Sequence, residues 1–286
     1  CNSRYCYLDP YEGARLAVAE SARNVRCTGA RPLGITNCLN FGNPERAPGN
    51  WQLMRAVQGM ADACHALDIP VVSGNVSLYN ETAGIPVFPT PTVGCVGVIE
   101  DVTGTVGIGW QSNREIILLD AGTPSLAGSE FLAAIRGSIA GAPPEIDLER
   151  ELTLQSLVRG FISNRNVTAA HDIGLGGLAI AAIEMALANN VGATIELPPA
   201  DAGSRLDLTW FGEAPARILV SIDPAKRDMV LDQARQAGID ASVIGSTTVA
   251  NGGTTVSFAG FGSVELSDLR ELSASALRDA NVVATA

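Results

Sequence analysis

Two stretches of the 286-residue chain carry the side chains best suited to hold a charged small molecule. Residues 70–82 read P-V-V-S-G-N-V-S-L-Y-N-E-T, and residues 33–44 read L-G-I-T-N-C-L-N-F-G-N-P. Each begins as a short apolar run and breaks into a Gly/Asn/Ser segment, so each reads as a strand delivering polar groups at its C-terminal end. In α/β layers ligands collect at that edge, because loops there expose backbone N–H groups and short oxygen-bearing side chains beside a rigid sheet. No G-x-x-x-x-G-K-[ST] occurs, so a phosphate bound here is held without the lysine of a P-loop. A third segment, H-D-I-G-L-G-G-L from His171, reads either as a tight strand-to-helix turn in which Asp172 bonds backbone or as a phosphate or metal contact made by His171 and Asp172. His65 lies one residue off an apolar helix face and reads as a helix-surface or core-edge histidine rather than a ligand.

The elements that must position these groups follow from hydrophobic periodicity. A helix over Glu12–Cys27 carries a narrow stripe of Ala14, Ala17, Val18, Ser21, Ala22 and Val25, ended by Gly29 and Pro32. A strand over Leu33–Thr36 leads into a polar loop, Asn37–Asn50. A helix over Trp51–Leu67 is expected to bury Leu53, Met54, Val57, Met60, Ala61 and Cys64. A short strand before Ser73, a long loop to Pro91 and a strand over Thr92–Ile99 complete the first part. Glycines at 104, 107 and 109 mark a joint, which places domains at 1–109 and 110–262 with a tail over 263–286.

The second part alternates strands and helices. Strands are expected over Glu115–Asp120, Val167–Ala170, Ala193–Leu197 and Ala216–Ile222. Asp147 N-caps a helix carrying Leu148, Leu152, Leu157, Val158 and Phe161. An alanine-rich helix runs to about Asn189, and Asp223-Pro224 opens a helix that Gly238 closes. The N-G-G at Asn251–Gly253 reads as a hairpin turn between two final strands, before a serine-rich helical tail. No internal repeat is visible.

Composition bounds the function classes. With 47% hydrophobic and 17% charged residues the chain is a globular protein, mixed α/β in class, long enough for two cores. Its formal net charge of -11 argues against a nucleic-acid or anionic-membrane surface, which needs clustered Lys and Arg. No apolar run approaches the roughly 20 residues of a membrane span, and a cytoplasmic location is expected. The six cysteines, at 1, 6, 27, 38, 64 and 95, lack C-x-x-C spacing and read as reduced, mostly buried thiols. The chain opens on Cys1 rather than methionine and reads as a piece of something longer.

S-R-Y-C-Y-L-D-P-Y-E-G-A, I-T-N-C-L-N-F-G-N-P, P-V-V-S-G-N-V-S-L-Y-N-E-T, P-T-P-T-V-G, H-D-I-x-x-G-G-L and F-G-E-A-P-A-R occur in that order from Ser3 to Arg217. Together they resemble the synthetase subunit (PurL) of phosphoribosylformylglycinamidine synthase, in its second half only. The resemblance implies a PurM-like module, with an N-terminal sheet-and-helix domain followed by a C-terminal α/β domain. It implies an ATP-dependent ligase of purine biosynthesis, in which ATP activates the amide oxygen of formylglycinamide ribonucleotide as an iminophosphate that ammonia displaces. The implied partners are that ribonucleotide, a first PurM-like module bearing the catalytic histidine, a glutaminase subunit or domain and a small bridging subunit.

By position, the family's ATP contacts fall on Asn37 and Gly74, a Mg²⁺ contact on Asn75 and a substrate contact on Ser77; no catalytic residue falls within the chain. Those residue types suit the roles. Glycine lets a backbone approach a nucleotide, an amide oxygen is a hard ligand, and a hydroxyl donates to an anion. Two departures from the family's pattern stand out: the family commonly carries Asp at position 37, and usually Ser plus an acid where Gly174 and Leu175 stand. Asn37 keeps an oxygen but loses a charge, so a metal site is expected to draw its carboxylates from outside the chain. The rival readings are a non-catalytic module that holds a structural nucleotide and docks the glutaminase, and another PurM-like enzyme such as aminoimidazole ribonucleotide synthetase or selenophosphate synthetase.

Overall fold

Capping sets where the first helices begin. In the computed structural model, which describes residues 1–196, 205–249 and 253–283, Asn2 caps a short helix α1 (Ser3–Leu8) and Asp9 caps α2 (Pro10–Cys27). The Asp9 carboxylate accepts from the N–H groups of Tyr11 and Glu12 at 2.9 and 3.1 Å, and Pro10 occupies the first turn, where its missing N–H costs nothing. The helix therefore starts two residues before the expected Glu12. Ala14, Ala17, Val18 and Ala22 of its small-residue stripe are buried and Ser21 and Val25 partly so, but Glu12 and Arg23 are buried with them, because α2 packs on more than one neighbour.

Next come β1 (Arg31–Asn40), α3 (Ala47–Leu67), β2 (Val71–Ser77), a small hairpin of β3 (Glu81–Thr82) and β4 (Ile85–Pro86), and β5 (Thr90–Val98). β1 lies between β2, which runs parallel to it, and β5, which is antiparallel. Both candidate stretches are thus longer strands than expected. Residues 37–40 and 73–77 continue the ladder rather than forming loops. Apart from Asn37, which shares the helix-facing side with Leu39, their polar side chains lie on the sheet's open face, where extended backbone needs no apolar residues, so pairing of β1 with β2 overrides the local loop signal.

α3 begins at Ala47 rather than Trp51, and its buried face is rotated from the expected one. Ala56, Met60, Ala63 and Leu67 face the core with Ile35, Leu39 and Phe41. Met54 and Val57 are 67% and 46% exposed, and Ala61 is also exposed. The close approach to α2, where a Cβ at Gly59 would stand 2.1 Å from the Tyr11 carbonyl oxygen, selects the face that carries Ala56, Gly59 and Ala63, and leaves Met54 and Val57 outside.

The second part holds β6 (Glu115–Asp120), α4 (Glu130–Arg136), α5 (Leu148–Ser163), β7 (Ala169–Asp172), α6 (Gly177–Asn189) and β8 (Ala193–Ile195). These are followed by α7 (Leu206–Phe211), β9 (Arg217–Ile222), α8 (Arg227–Gln236), β10 (Asp240–Thr247), β11 (Thr255–Phe258), β12 (Gly262–Glu265) and α9 (Leu266–Val283). Seven strands form one sheet in the order β12-β11-β8-β10-β6-β9-β7. β6 matches the expected strand residue for residue, and Asp147 caps α5 as expected. β6 reads E-I-I-L-L-D with no polar alternation because helices cover both faces. Ile116 and Leu118 enter the core shared with α6 and Trp210, whereas Ile117 and Leu119 enter the core shared with α5 and α8. Each such side chain contributes about 1.5–3 kcal/mol on burial.

The expected final hairpin is not between the strands flanking the N-G-G. β10 and β11 are separated by β8, and the last hairpin joins β11 to β12 at Ala259–Phe261. Leu197, Asn251 and Gly252 lie outside the described residues. After Phe261 the chain adds β12 before its helix, with Leu266 fully buried. Among the described residues no helix is long and apolar enough to cross a membrane.

All six cysteines are free thiols, of which Cys6 and Cys27 are buried. Burial pushes Cys6 up to about 12, and Cys27 also upward. At pH 8 both thiols are therefore held in the protonated, unreactive form. Titration of the native protein with a chromogenic disulfide reagent is expected to leave both unmodified until denaturant is added; rapid modification of either in the native state would contradict this packing.

Candidate functional site

The strand pair β1–β2 places the four expected contact residues by register. Asn37 pairs with Gly74, Cys38 with Asn75 and Asn40 with Ser77. Successive side chains of a strand point to opposite faces, so the four divide into two pairs. Asn37 and Gly74 lie on the helix-facing side, with Leu39 and Val93. Asn75 and Ser77 lie on the open side with Thr36, Cys38 and Asn40. A 2.9 Å hydrogen bond from Ser73 Oγ to Thr36 Oγ1 and a 3.2 Å contact from Cys38 Sγ to Asn75 Oδ1 mark that face. The four residues form an edge of sheet, not one loop.

Gly74 is required by its neighbour. A Cβ at this position would stand 2.3 Å from Asn37 Oδ1 and 2.9 Å from the Asn37 carbonyl oxygen. The Asn37 side chain therefore occupies the space a side chain at 74 would need. β2 is the outer strand of its sheet among the described residues, so its outward backbone groups are open to a ligand. At the C-terminal end, Ser77 Oγ donates to Asn80 Oδ1 at 3.1 Å. The Asn80 amide in turn donates to the Phe41 and Ser77 carbonyls at 3.1 and 2.8 Å. That network fixes the turn and presents the Ser77 hydroxyl at the strand end.

These residues do not by themselves fit a Mg²⁺ ion. Magnesium takes near-octahedral oxygen ligands and usually one or two carboxylates. Asn75 offers one neutral oxygen, and no group of three or more His, Cys, Asp or Glu among the described residues could hold a metal.

A second constellation, not anticipated from the sequence, lies where α2 meets the second sheet. The Arg23 side chain, 4% exposed, bonds Glu151 Oε1 at 2.7 Å and stands 3.5 Å from Asp172 Oδ2. Gln155 donates to the same Glu151 oxygen at 2.6 Å and to the Ala19 carbonyl at 3.0 Å. Burial alone would depress the Arg23 guanidinium, but Glu151, Asp172 and Glu20 hold it above its ordinary range. Asp172 thus faces an arginine rather than turn backbone. His171 Nε2 lies 2.9 Å from Glu184 on α6, away from the β1–β2 edge.

Glu213, in F-G-E-A-P-A-R, is a third buried charge. Its Oε1 accepts the Glu130 and Gly176 N–H groups at 2.8 Å each, and its Oε2 accepts the Tyr5 hydroxyl. It ties α1, α4 and the glycine turn before α6 to one carboxylate. Gly177, at φ 69°, sits where a Cβ would be 2.7 Å from the Gly212 carbonyl oxygen, so the turn requires glycine on both counts. Arg217, from the same motif, bonds Asp120 at 2.9 Å across β9 and β6.

A three-stranded sheet backed by two helices, followed by a seven-stranded sheet covered on both faces, is a PurM-like arrangement. The chain matches the AIR synthase related N-terminal domain over residues 1–99 and the C-terminal domain over 111–257, and it belongs to that family. It is 51% identical over 245 residues to the phosphoribosylformylglycinamidine synthase subunit PurL of Moorella thermoacetica, covering 85% of this chain and 33% of that protein. It is 48% identical to that of Thermomicrobium roseum, covering 86% of this chain and 34% of that protein. The chain spans about a third of the length of these relatives. Among solved structures it resembles Thermotoga maritima PurL complexed with FGAR, with a TM-score of 0.73 and 21% identity over 92% of this chain and 43% of that one. A HypE–HypF complex gives a TM-score of 0.63 at 18% identity, over 88% and 83%. At these identities the structural likeness establishes the fold.

Proposed function

We propose that this chain is the second PurM-like module of an ATP-dependent ligase that converts formylglycinamide ribonucleotide and ammonia to formylglycinamidine ribonucleotide. The observation that carries the reading is the 51% identity to a PurL subunit over 85% of the chain, joined to an edge strand able to meet a nucleotide. ATP would phosphorylate the amide oxygen, and ammonia would displace phosphate from the resulting iminophosphate, leaving the amidine, ADP and phosphate.

In this reading Asn37 and the Gly74 backbone contact ATP, and Ser77 donates to the ribonucleotide. Their division between two faces suits a ligand lying along the outer edge of β2, in reach of both. Asn75 would offer one neutral oxygen to a Mg²⁺ ion, which would need its carboxylates from outside this chain. The module works in the cytoplasm with the first PurM-like module, a glutaminase and a small bridging subunit, its own domains being 1–109 and 110–262 with a tail from 263.

Ser77→Ala in the full-length protein tests the reading. The substrate's KM is expected to rise about tenfold, and more than the KM for ATP, if one hydrogen bond to a charged group worth roughly 1.5 kcal/mol is lost. An effect confined to ATP would remove Ser77 from the ribonucleotide site.

A further inference from the structure

We propose that the cavity where the joint after β5 meets α5 binds a small aliphatic α-amino acid as its zwitterion. It has a volume of about 180 Å³ and is bordered by Thr28, Ile99, Glu100, Asp101, Arg159 and Ile162. It lies outside the β1–β2 edge and does not depend on the function proposed above.

Opposite charges border this space without meeting. Among the described residues Arg159 makes no hydrogen bond, and no carboxylate oxygen comes within 4.0 Å of its guanidinium. Its Nε is enclosed, whereas its terminal nitrogens keep open surface. The uncompensated charge is felt by Arg26, whose guanidinium is lowered by burial and then by Arg159. Across the cavity the Glu100 side chain is exposed and makes neither a hydrogen bond nor an ion pair among the described residues.

Asp101 is already engaged. Its Oδ1 accepts the Thr103 N–H and hydroxyl at 2.9 and 2.7 Å, and its Oδ2 stands 3.9 Å from Arg165. Arg165, just beyond α5, also donates to Thr103 Oγ1 at 3.1 Å. These contacts moor the joint to the end of α5 and hold Glu100 opposite Arg159.

The charge balance selects the ligand. An anion gains Arg159 but meets Glu100 and Asp101, and a cation gains Glu100 but meets Arg159. A carboxylate turned to the Arg159 fork, with an ammonium turned to Glu100, pairs both sides in one molecule. The Thr28 hydroxyl, which donates to the Val25 carbonyl at 2.8 Å, keeps a lone pair for a second ammonium N–H. Ile99 and Ile162 supply an apolar wall for a short aliphatic side chain.

The test uses the full-length protein with L-alanine as probe and its two singly charged halves, propionate and ethylamine, as counterparts, read by saturation-transfer NMR and titration. Alanine is expected to bind, and each half at least about tenfold more weakly. Arg159→Met and Glu100→Ala are each expected to weaken alanine about tenfold, with thermal melts confirming that both variants fold. Propionate or ethylamine binding as tightly as alanine, no saturation transfer to alanine, or a folded variant that binds alanine as before would each overturn the proposal.

Discussion

Gly74→Ala is expected to lower nucleotide affinity tenfold or more, about 1.4 kcal/mol, while leaving the second sheet intact. The added methyl would stand 2.3 Å from Asn37 Oδ1, so either the amide or the strand must move. The amide is the softer of the two, yet its displacement removes a proposed ATP contact, and the backbone oxygen at 2.9 Å leaves little room for compensation. A double-mutant cycle separates space from binding. In an Asn37→Ala background the stability cost of Gly74→Ala should shrink, because its closest obstacle is gone. Nucleotide binding should stay weak, because the amide is gone as well. Calorimetric titration and thermal melts of the four proteins give both readouts, and additive stability effects would show that the two side chains do not compete for space.

The second large effect is expected at Arg23. Arg23→Met leaves Glu151, fully buried, and Asp172, 5% exposed, without their cation. Breaking a buried pair on one side costs about 3–5 kcal/mol. The melting temperature should fall by on the order of 10 °C. Glu151 Oε2 and Gln155 Oε1 already lack partners among the described residues, so the cluster is not fully satisfied even when intact. Replacing both sides, as Arg23→Met with Glu151→Leu, should therefore recover part of the loss. A double variant less stable than Arg23→Met would show that the remaining carboxylate finds water or another partner when Arg23 is removed.

How much of this was legible in the sequence varies with what each residue faces. β6 could be read to the residue because an apolar run bounded by Glu115 and Asp120 has one interpretation in a sheet covered on both faces. α5 could be placed because Asp147 has a local job that sequence displays. The face of α3 could not, since apolar side chains lie on several sides of it and only the close approach of α2 decides which are buried. The contact residues at 37, 74, 75 and 77 were found through resemblance, but their placement on opposite faces of two paired strands depends on the register between β1 and β2.

The buried charges were missed although a signal existed. Glu151 and Gln155 fall at helical spacing from Leu154, Val158 and Ile162, on the face of α5 that turns inward. A charge at such a position demands a partner. Arg23, beside the small-residue stripe of α2, was the candidate. Glu213 gave less warning, since three of its partners come from segments 37, 83 and 208 residues away.

The strand order of the large sheet bears on how the protein is made. β6 lies between β9 and β10, and both are encoded roughly a hundred or more residues after it. At about 5–20 residues per second of synthesis, Ile116, Ile117, Leu118 and Leu119 wait on the order of 10 s before either neighbour leaves the ribosome. Throughout that interval a four-residue apolar run with strong strand preference stands without its sheet. Release of the nascent chain between β6 and β9 would yield a sticky intermediate, and holdase chaperones have a defined window in which to act.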